Sequence, residues 1–104
     1  MVYSLETLTK MADIMRAKEK ELGTTIVLLS DEPYRELAYD GVEVPYVTNV
    51  YDNTVICYSY SKSLSLPGER IGYLVIPDAL KDSGEVFNAA TMRTGCWAVS
   101  MPRP

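Results

Sequence analysis

The stretch Thr54-Val55-Ile56-Cys57-Tyr58-Ser59-Tyr60-Ser61-Lys62 decides how the chain is read. Its first six residues form a continuous, largely apolar run that opens on three β-branched side chains, which suits a strand buried on both faces, as in a parallel sheet. It then passes through hydroxyl residues to a lysine, where a strand gives way to a loop. Working outward, Thr25-Ile26-Val27-Leu28-Leu29-Ser30 has the same character and closes at Asp31-Glu32-Pro33-Tyr34. Ile71-Gly72-Tyr73-Leu74-Val75-Ile76 is a third such run, closed by Pro77-Asp78.

Helical patterns flank these strands. Ser4 reads as an N-cap with Glu6 in the first turn. Leu5, Leu8, Ala12, Met15 and Leu22 recur on one stripe, Lys18 and Lys20 lie near the end, and Gly23 is a stop, so the spacing predicts a helix over about 5–21. A second helix is predicted over about 79–94, with Asp78 as its N-cap. From Tyr34 to about Asn53 the chain carries Gly41, Pro45 and many polar residues, and reads as a long loop with a short helical turn. Ser61 to Glu69 reads as a loop broken by Pro67-Gly68. The tail from Trp97 to Pro104 shows no clear element. Helices beside three buried strands imply a layered α/β sheet. Two helices cannot cover both faces of three strands, so apolar surface is left over and a dimer or larger assembly is expected.

Composition narrows the function classes. The chain has 104 residues, 47% of them hydrophobic, which suits one small globular domain. A net charge of −4 without a basic patch argues against nucleic acid and anionic membranes as partners. No apolar run is long enough to span a bilayer, and Met1 to Glu6 lacks the features of a signal peptide, so a cytoplasmic location is expected. Cys57 and Cys96 do not form a CxxC pair, which disfavours zinc and suits reduced thiols. Histidine is absent, which removes Ser-His-Asp triads, Cys-His dyads and most catalytic zinc sites. Acid–base chemistry falls to Lys, Asp, Glu or Tyr, or to a cofactor.

Ligands of open α/β sheets collect beyond the carboxyl ends of parallel strands. Asp31 and Tyr34 follow the first strand, and Ser59 and Lys62 end the second, so the four are predicted to share one crevice. Taken singly, each is ordinary: a solvated lysine, a loop aspartate, a rim tyrosine, a strand-end hydroxyl. Arg70 alone reads as a surface ion-pair partner.

Together they form a pattern. Ser59-x-x-Lys62 followed by Pro67-Gly68-x-Arg70-x-Gly72-Tyr73 resembles the cofactor-lysine signature of class I/II aminotransferases among the fold-type I pyridoxal 5'-phosphate (PLP) enzymes. Asp31-Glu32-Pro33-Tyr34 resembles the same family's Asp-x-x-Tyr motif, and Val2-Tyr3-Ser4-Leu5-Glu6 resembles the segment after its Asn-Pro-x-x-Gly stretch. The resemblance runs from residue 2 to about residue 95. It implies that Lys62 is the catalytic lysine, joined to the PLP aldehyde as a Schiff base and later moving a proton as a free amine. It further implies that Asp31 pairs with the ring nitrogen, that Tyr34 bonds the ring hydroxyl oxygen, and that Arg70 and Ser59 hold the phosphate. Ser61 is a weaker candidate, because adjacent residues on extended backbone point opposite ways. Gly68 and Gly72 are expected to serve backbone geometry.

The resemblance also implies a fold: about three strands and flanking helices of the family's large-domain sheet. Residues 1–104 are therefore read as one fragment of that domain, with the first part of the domain and the small domain outside it. Met1 falls where the family shows the glycine of Asn-Pro-x-x-Gly, which suggests a truncated product or a chain begun within the domain. The intact relative is expected to move an amino group between an amino acid and a 2-oxo acid, as in biosynthetic metabolism. The fragment alone is expected to be inactive. PLP-dependent C–S lyases and aminocyclopropane-carboxylate synthases share the lysine signature and stand as alternatives, as does a non-catalytic, self-associating module.

Overall fold

The computed structural model describes the backbone of residues 2–94 and 97–101 and the side chains of residues 2–92. Helix α1 spans Leu5–Leu22 and starts as its sequence predicts, with the Ser4 hydroxyl accepting from the Thr7 N–H at 3.2 Å. It ends at Gly23, whose left-handed φ of 64° suits a residue without Cβ. Leu8 and Ala12 are buried, whereas Leu5 and Leu22, from the same predicted stripe, are exposed.

Strand β1, Leu28–Asp31, is shorter than the predicted 25–30. The reason lies at Ile26. Its N–H donates to Glu19 Oε1 at 2.9 Å and its carbonyl accepts from the Tyr51 hydroxyl at 2.7 Å, so side chains take the groups a ladder needs. Pairing starts only at Leu28, whose N–H reaches the Asn53 carbonyl at 2.9 Å. Nor is β1 buried on both faces. Burial alternates along it, and Leu29 is 67% exposed, because β1 is an edge strand with one face uncovered.

Strand β2 occupies the predicted residues, Thr54–Ser59, and runs parallel to β1, with Leu28 opposite Thr54 and Asp31 opposite Cys57. The crossover between them, residues 32–53, contains one short 3-10 turn at Val47–Asn49, as the loop reading anticipates. Helix α2, Tyr60–Ser63, is a single turn within the predicted 61–69 loop. Strand β3, Gly72–Pro77, pairs antiparallel with β2, placing Ser59 opposite Gly72. The third strand, which reads like the other two in sequence, thus returns antiparallel beside β2.

Helix α3, Ser83–Thr94, starts later than the predicted Asp78 cap. Leu80 is 2% exposed and joins Val55 and Ile76 in the core, against which Leu74, Phe87 and Ala90 pack. Seating Leu80 there requires two turns first, closed by Leu80 N–H to Pro77 O at 3.0 Å and Ser83 N–H to Leu80 O at 3.2 Å. The tail also differs from its reading. Trp97–Met101 forms strand β4, parallel to β3, so β3–α3–β4 is a crossover unit. The α/β class stands, but the described sheet has four strands in the order β1-β2-β3-β4, not three. Cys57 is a free, half-buried thiol, and Cys96 and Met1 lie outside the described residues. Among the described residues no helix is long and apolar enough to cross a membrane.

Glu19 joins α1 to the strand starts, since its Oε1 also accepts from Asn53 Nδ2 at 3.1 Å. The Ile26 N–H above all, with Tyr51, Asn53 and Arg16 in support, draws its carboxyl below the ordinary 4.5 against the opposing effect of burial. A carboxyl depressed in the folded state adds stability above 4.5 that is lost as pH falls through the folded value. We therefore expect Glu19→Gln to melt below the wild type at neutral pH, with the gap closing as pH drops below 4.5. Melts at several pH values check this; a gap independent of pH contradicts it.

Candidate functional site

Three chain segments meet at the end of the sheet where β1 and β2 finish and β3 begins. The parallel register sets Asp31 opposite Cys57, on the same face, and the Glu32 N–H extends the ladder to the Cys57 carbonyl at 2.8 Å. Burial pushes the Cys57 thiol up, and the Asp31 carboxylate adds to the effect, so Cys57 stays a neutral thiol. Beyond Asp31 the chain turns, with Leu37 N–H bonded to Tyr34 O at 2.9 Å. That turn projects the exposed Tyr34 ring toward the segment after β2.

On that segment Ser59 caps α2, its hydroxyl accepting from the Ser61 N–H at 3.2 Å. Lys62 lies in the single turn that follows, and its Nζ sits 5.6 Å from the centre of the Tyr34 ring, within cation–π range. The structure therefore brings Lys62 and Tyr34 together. Lys62 forms no salt bridge with any described residue. The Ser59 and Ser61 hydroxyls lie 2.6 Å apart, so Ser61 sits beside Ser59 at the end of β2.

Arg70 arrives through the antiparallel return. Tyr60 N–H bonds Ile71 O at 3.1 Å, which sets Arg70 next to the start of α2. Its side chain is exposed, and Nη1 donates to Pro67 O at 3.0 Å across its own turn. The glycines separate. A Cβ at Gly72 would overlap the Tyr58 carbonyl oxygen and lie 3.4 Å from Ser59 Cα, whereas one at Gly68 would meet nothing within 4 Å. Close approach of β2 and β3 thus requires Gly72 but not Gly68.

The crossover after Asp31 is held by Arg35. Its guanidinium bonds Glu32 at 2.8 Å and the Val44 and Pro45 carbonyls at 2.5 and 3.4 Å, and lies 3.7 Å from the centre of the Tyr46 ring. A cleft of about 530 Å³ opens on this side, lined by Tyr3, Leu8, Met11, Leu28, Val44 and Val47 among others. Of the sequence candidates Asp31 and Tyr34 line it, while Ser59, Lys62 and Arg70 do not. Its largely apolar lining does not include Lys62.

Comparison with known proteins shows the family. The family model for aminotransferase class I and II matches residues 1–100. The chain belongs to the class I and II aminotransferase family. The match extends past residue 95 and takes in most of the tail that the sequence resemblance left out. An aspartate aminotransferase of Bacillus sp. (strain YM-2) is 32% identical over 88% of this chain and 21% of its own length. The putative aminotransferase YugH of Bacillus subtilis is 29% identical over 79% of this chain and 20% of its own length. A crystal structure of an aminotransferase from Eubacterium rectale superposes with a TM-score of 0.86 at 52% identity, covering 92% of this chain and 25% of that one. This family member thus spans about a fifth of the curated relatives it matches.

Sequence reasoning missed one group at the site. The Tyr58 hydroxyl lies 2.7 Å from both Glu36 Oε1 and Ser63 Oγ, and its ring stacks on Tyr73 with centroids 4.9 Å apart. The signal, a tyrosine within an apolar strand, is indistinguishable from an ordinary core position. The Gly72 contact yields the test here. Gly72→Ala is expected to cost about 1–3 kcal/mol, as for overpacking elsewhere, because backbone must move. Urea denaturation measures it; an unchanged midpoint contradicts the close approach.

Proposed function

We propose that this chain carries the lysine-bearing, cofactor-holding segment of a PLP-dependent aminotransferase that moves an amino group between an amino acid and a 2-oxo acid. The observation that carries the reading is the approach of Lys62 Nζ to the Tyr34 ring, which joins two distant motifs at one sheet end. The donor set suits the cofactor: a primary amine for its aldehyde, a carboxylate for its ring nitrogen, a phenol for its ring oxygen, and a guanidinium with a hydroxyl for its phosphate. PLP, when bound, supplies an electron sink for the carbon that loses its proton.

The chain's own groups have separable tasks. Lys62 holds the cofactor and then accepts and returns the proton as a free amine. Asp31 keeps a proton on the ring nitrogen, and Tyr34 donates to the ring oxygen. Arg70 neutralises phosphate charge, with the Ser59 hydroxyl adding a bond. Family membership, together with named aspartate aminotransferases among the relatives, supports amino transfer over C–S lysis.

The isolated chain is expected to bind PLP weakly. The Arg70 and Lys62 side chains are exposed, and the Ser59 hydroxyl is already engaged by Ser61. A second reading, self-association without catalysis, draws support from exposed apolar residues such as Leu29 on β1 and Ile14 and Leu22 on α1. One experiment separates the two: incubation with PLP, borohydride reduction and peptide mapping. We expect less than one label per chain, with Lys62 taking the largest share. Label spread evenly over Lys10, Lys18, Lys20 and Lys81 contradicts the proposal and favours self-association.

A further inference from the structure

The segments that carry Tyr34 and Lys62 leave β1 and β2 separately, and both side chains are exposed. Exposed side chains of this kind do not hold a mutual position unless their supports are tied. Beyond the Glu32–Cys57 ladder bond, one side-chain hydrogen-bond bridge ties them among the described residues. Tyr58 Oη lies 2.7 Å from Glu36 Oε1, two residues past Tyr34, and 2.7 Å from Ser63 Oγ, next to Lys62. A phenol has one proton. The carboxylate can only accept, so Tyr58 donates to Glu36 and accepts from the Ser63 hydroxyl. The ring is itself fixed, 8% exposed, stacked on Tyr73 at 4.9 Å and met edge-on by Tyr60 at 5.3 Å. The hydroxyl is thus a rigid post between two surface turns.

We infer that Tyr58 is a positioning residue, whose hydroxyl bridges Glu36 and Ser63 and so holds Lys62 over the Tyr34 ring. The inference rests on the proposed role of Lys62 for its importance, but its geometry stands without the cofactor. The net rise of the Tyr58 phenol is consistent: the Ser63 bond pulls it down, while burial and Glu36 outweigh that pull. The hydroxyl therefore keeps its proton through the neutral range.

The test uses the full chain with no PLP, so failure of the cofactor proposal does not affect it. Lysines are reductively methylated with 13C-formaldehyde, and the Lys62 N-methyl signal is assigned by its loss in Lys62→Arg. Its ring-current shift is removed by Tyr34→Leu if Lys62 lies over that ring. We expect the same loss of shift in Tyr58→Phe and in Glu36→Ala, and its retention in Glu36→Gln, where the amide oxygen still accepts. Glu36 is exposed, so Glu36→Ala decides the matter even if Tyr58→Phe fails to fold. A Lys62 signal unmoved in Glu36→Ala, or unmoved in Tyr34→Leu, overturns the proposal. A general loss of stability does not mimic the expected pattern, because the rescue by Glu36→Gln is specific to the bridge.

Discussion

Four consecutive pairs, from Leu28 opposite Thr54 to Asp31 opposite Cys57, align β1 with β2 in parallel, and the rest of the structure follows from that alignment. Parallel strands finish at the same end of a sheet. Whatever follows each strand is therefore delivered to one place, however far apart the two are in sequence. The Asp31–Tyr34 turn and the Ser59–Lys62 turn meet for this reason. The antiparallel return of β3 then brings Arg70 to the same end, because β3 starts where β2 stops. A slip of one residue in the first pairing would put Asp31 on the opposite face of the sheet and dissolve the cluster.

Parallel pairing has a topological cost, since the chain must cross from the end of one strand to the start of the next. Helices usually make that crossing. Here residues 32–53 do so with one 3-10 turn, and polar anchors replace the missing helix. Arg35 gathers Glu32, two backbone carbonyls and the Tyr46 ring, with both charged side chains mostly withdrawn from solvent. At the far end Tyr51, 2% exposed, bonds Ile26, and its own carbonyl accepts from the fully buried Thr54 hydroxyl at 2.6 Å. The crossover is therefore an ordered element that fixes both the exit from β1 and the entry to β2.

Much of this was legible in the sequence, and the failures share a cause. β2 was readable to the residue because a buried central strand is dictated by its own apolar run. The two ends of α1 were readable because Ser4 and Gly23 act locally. β1 was overextended because Glu19 and Tyr51 take the Ile26 backbone groups, and side chains distant in sequence are invisible to a pattern. The late start of α3 depends on where Leu80 is buried. β4 went unread because its five residues are a strand only beside β3. Lys62, Asp31, Tyr34 and Arg70 were singled out by their resemblance to the family's motifs, whereas Tyr58 looked like a core residue. Its bond to Glu36 needs the crossover folded before it exists.

The β1–β2 register thus carries Tyr34 and Lys62 into contact. The most direct measurement is a nuclear Overhauser experiment on the folded chain, between the Tyr34 ring protons and the Lys62 ε-methylene protons. Cross-peaks between them are expected, together with the interstrand peaks of the Leu28–Thr54 and Asp31–Cys57 pairs. Intact interstrand peaks without any Tyr34–Lys62 cross-peak would contradict that contact.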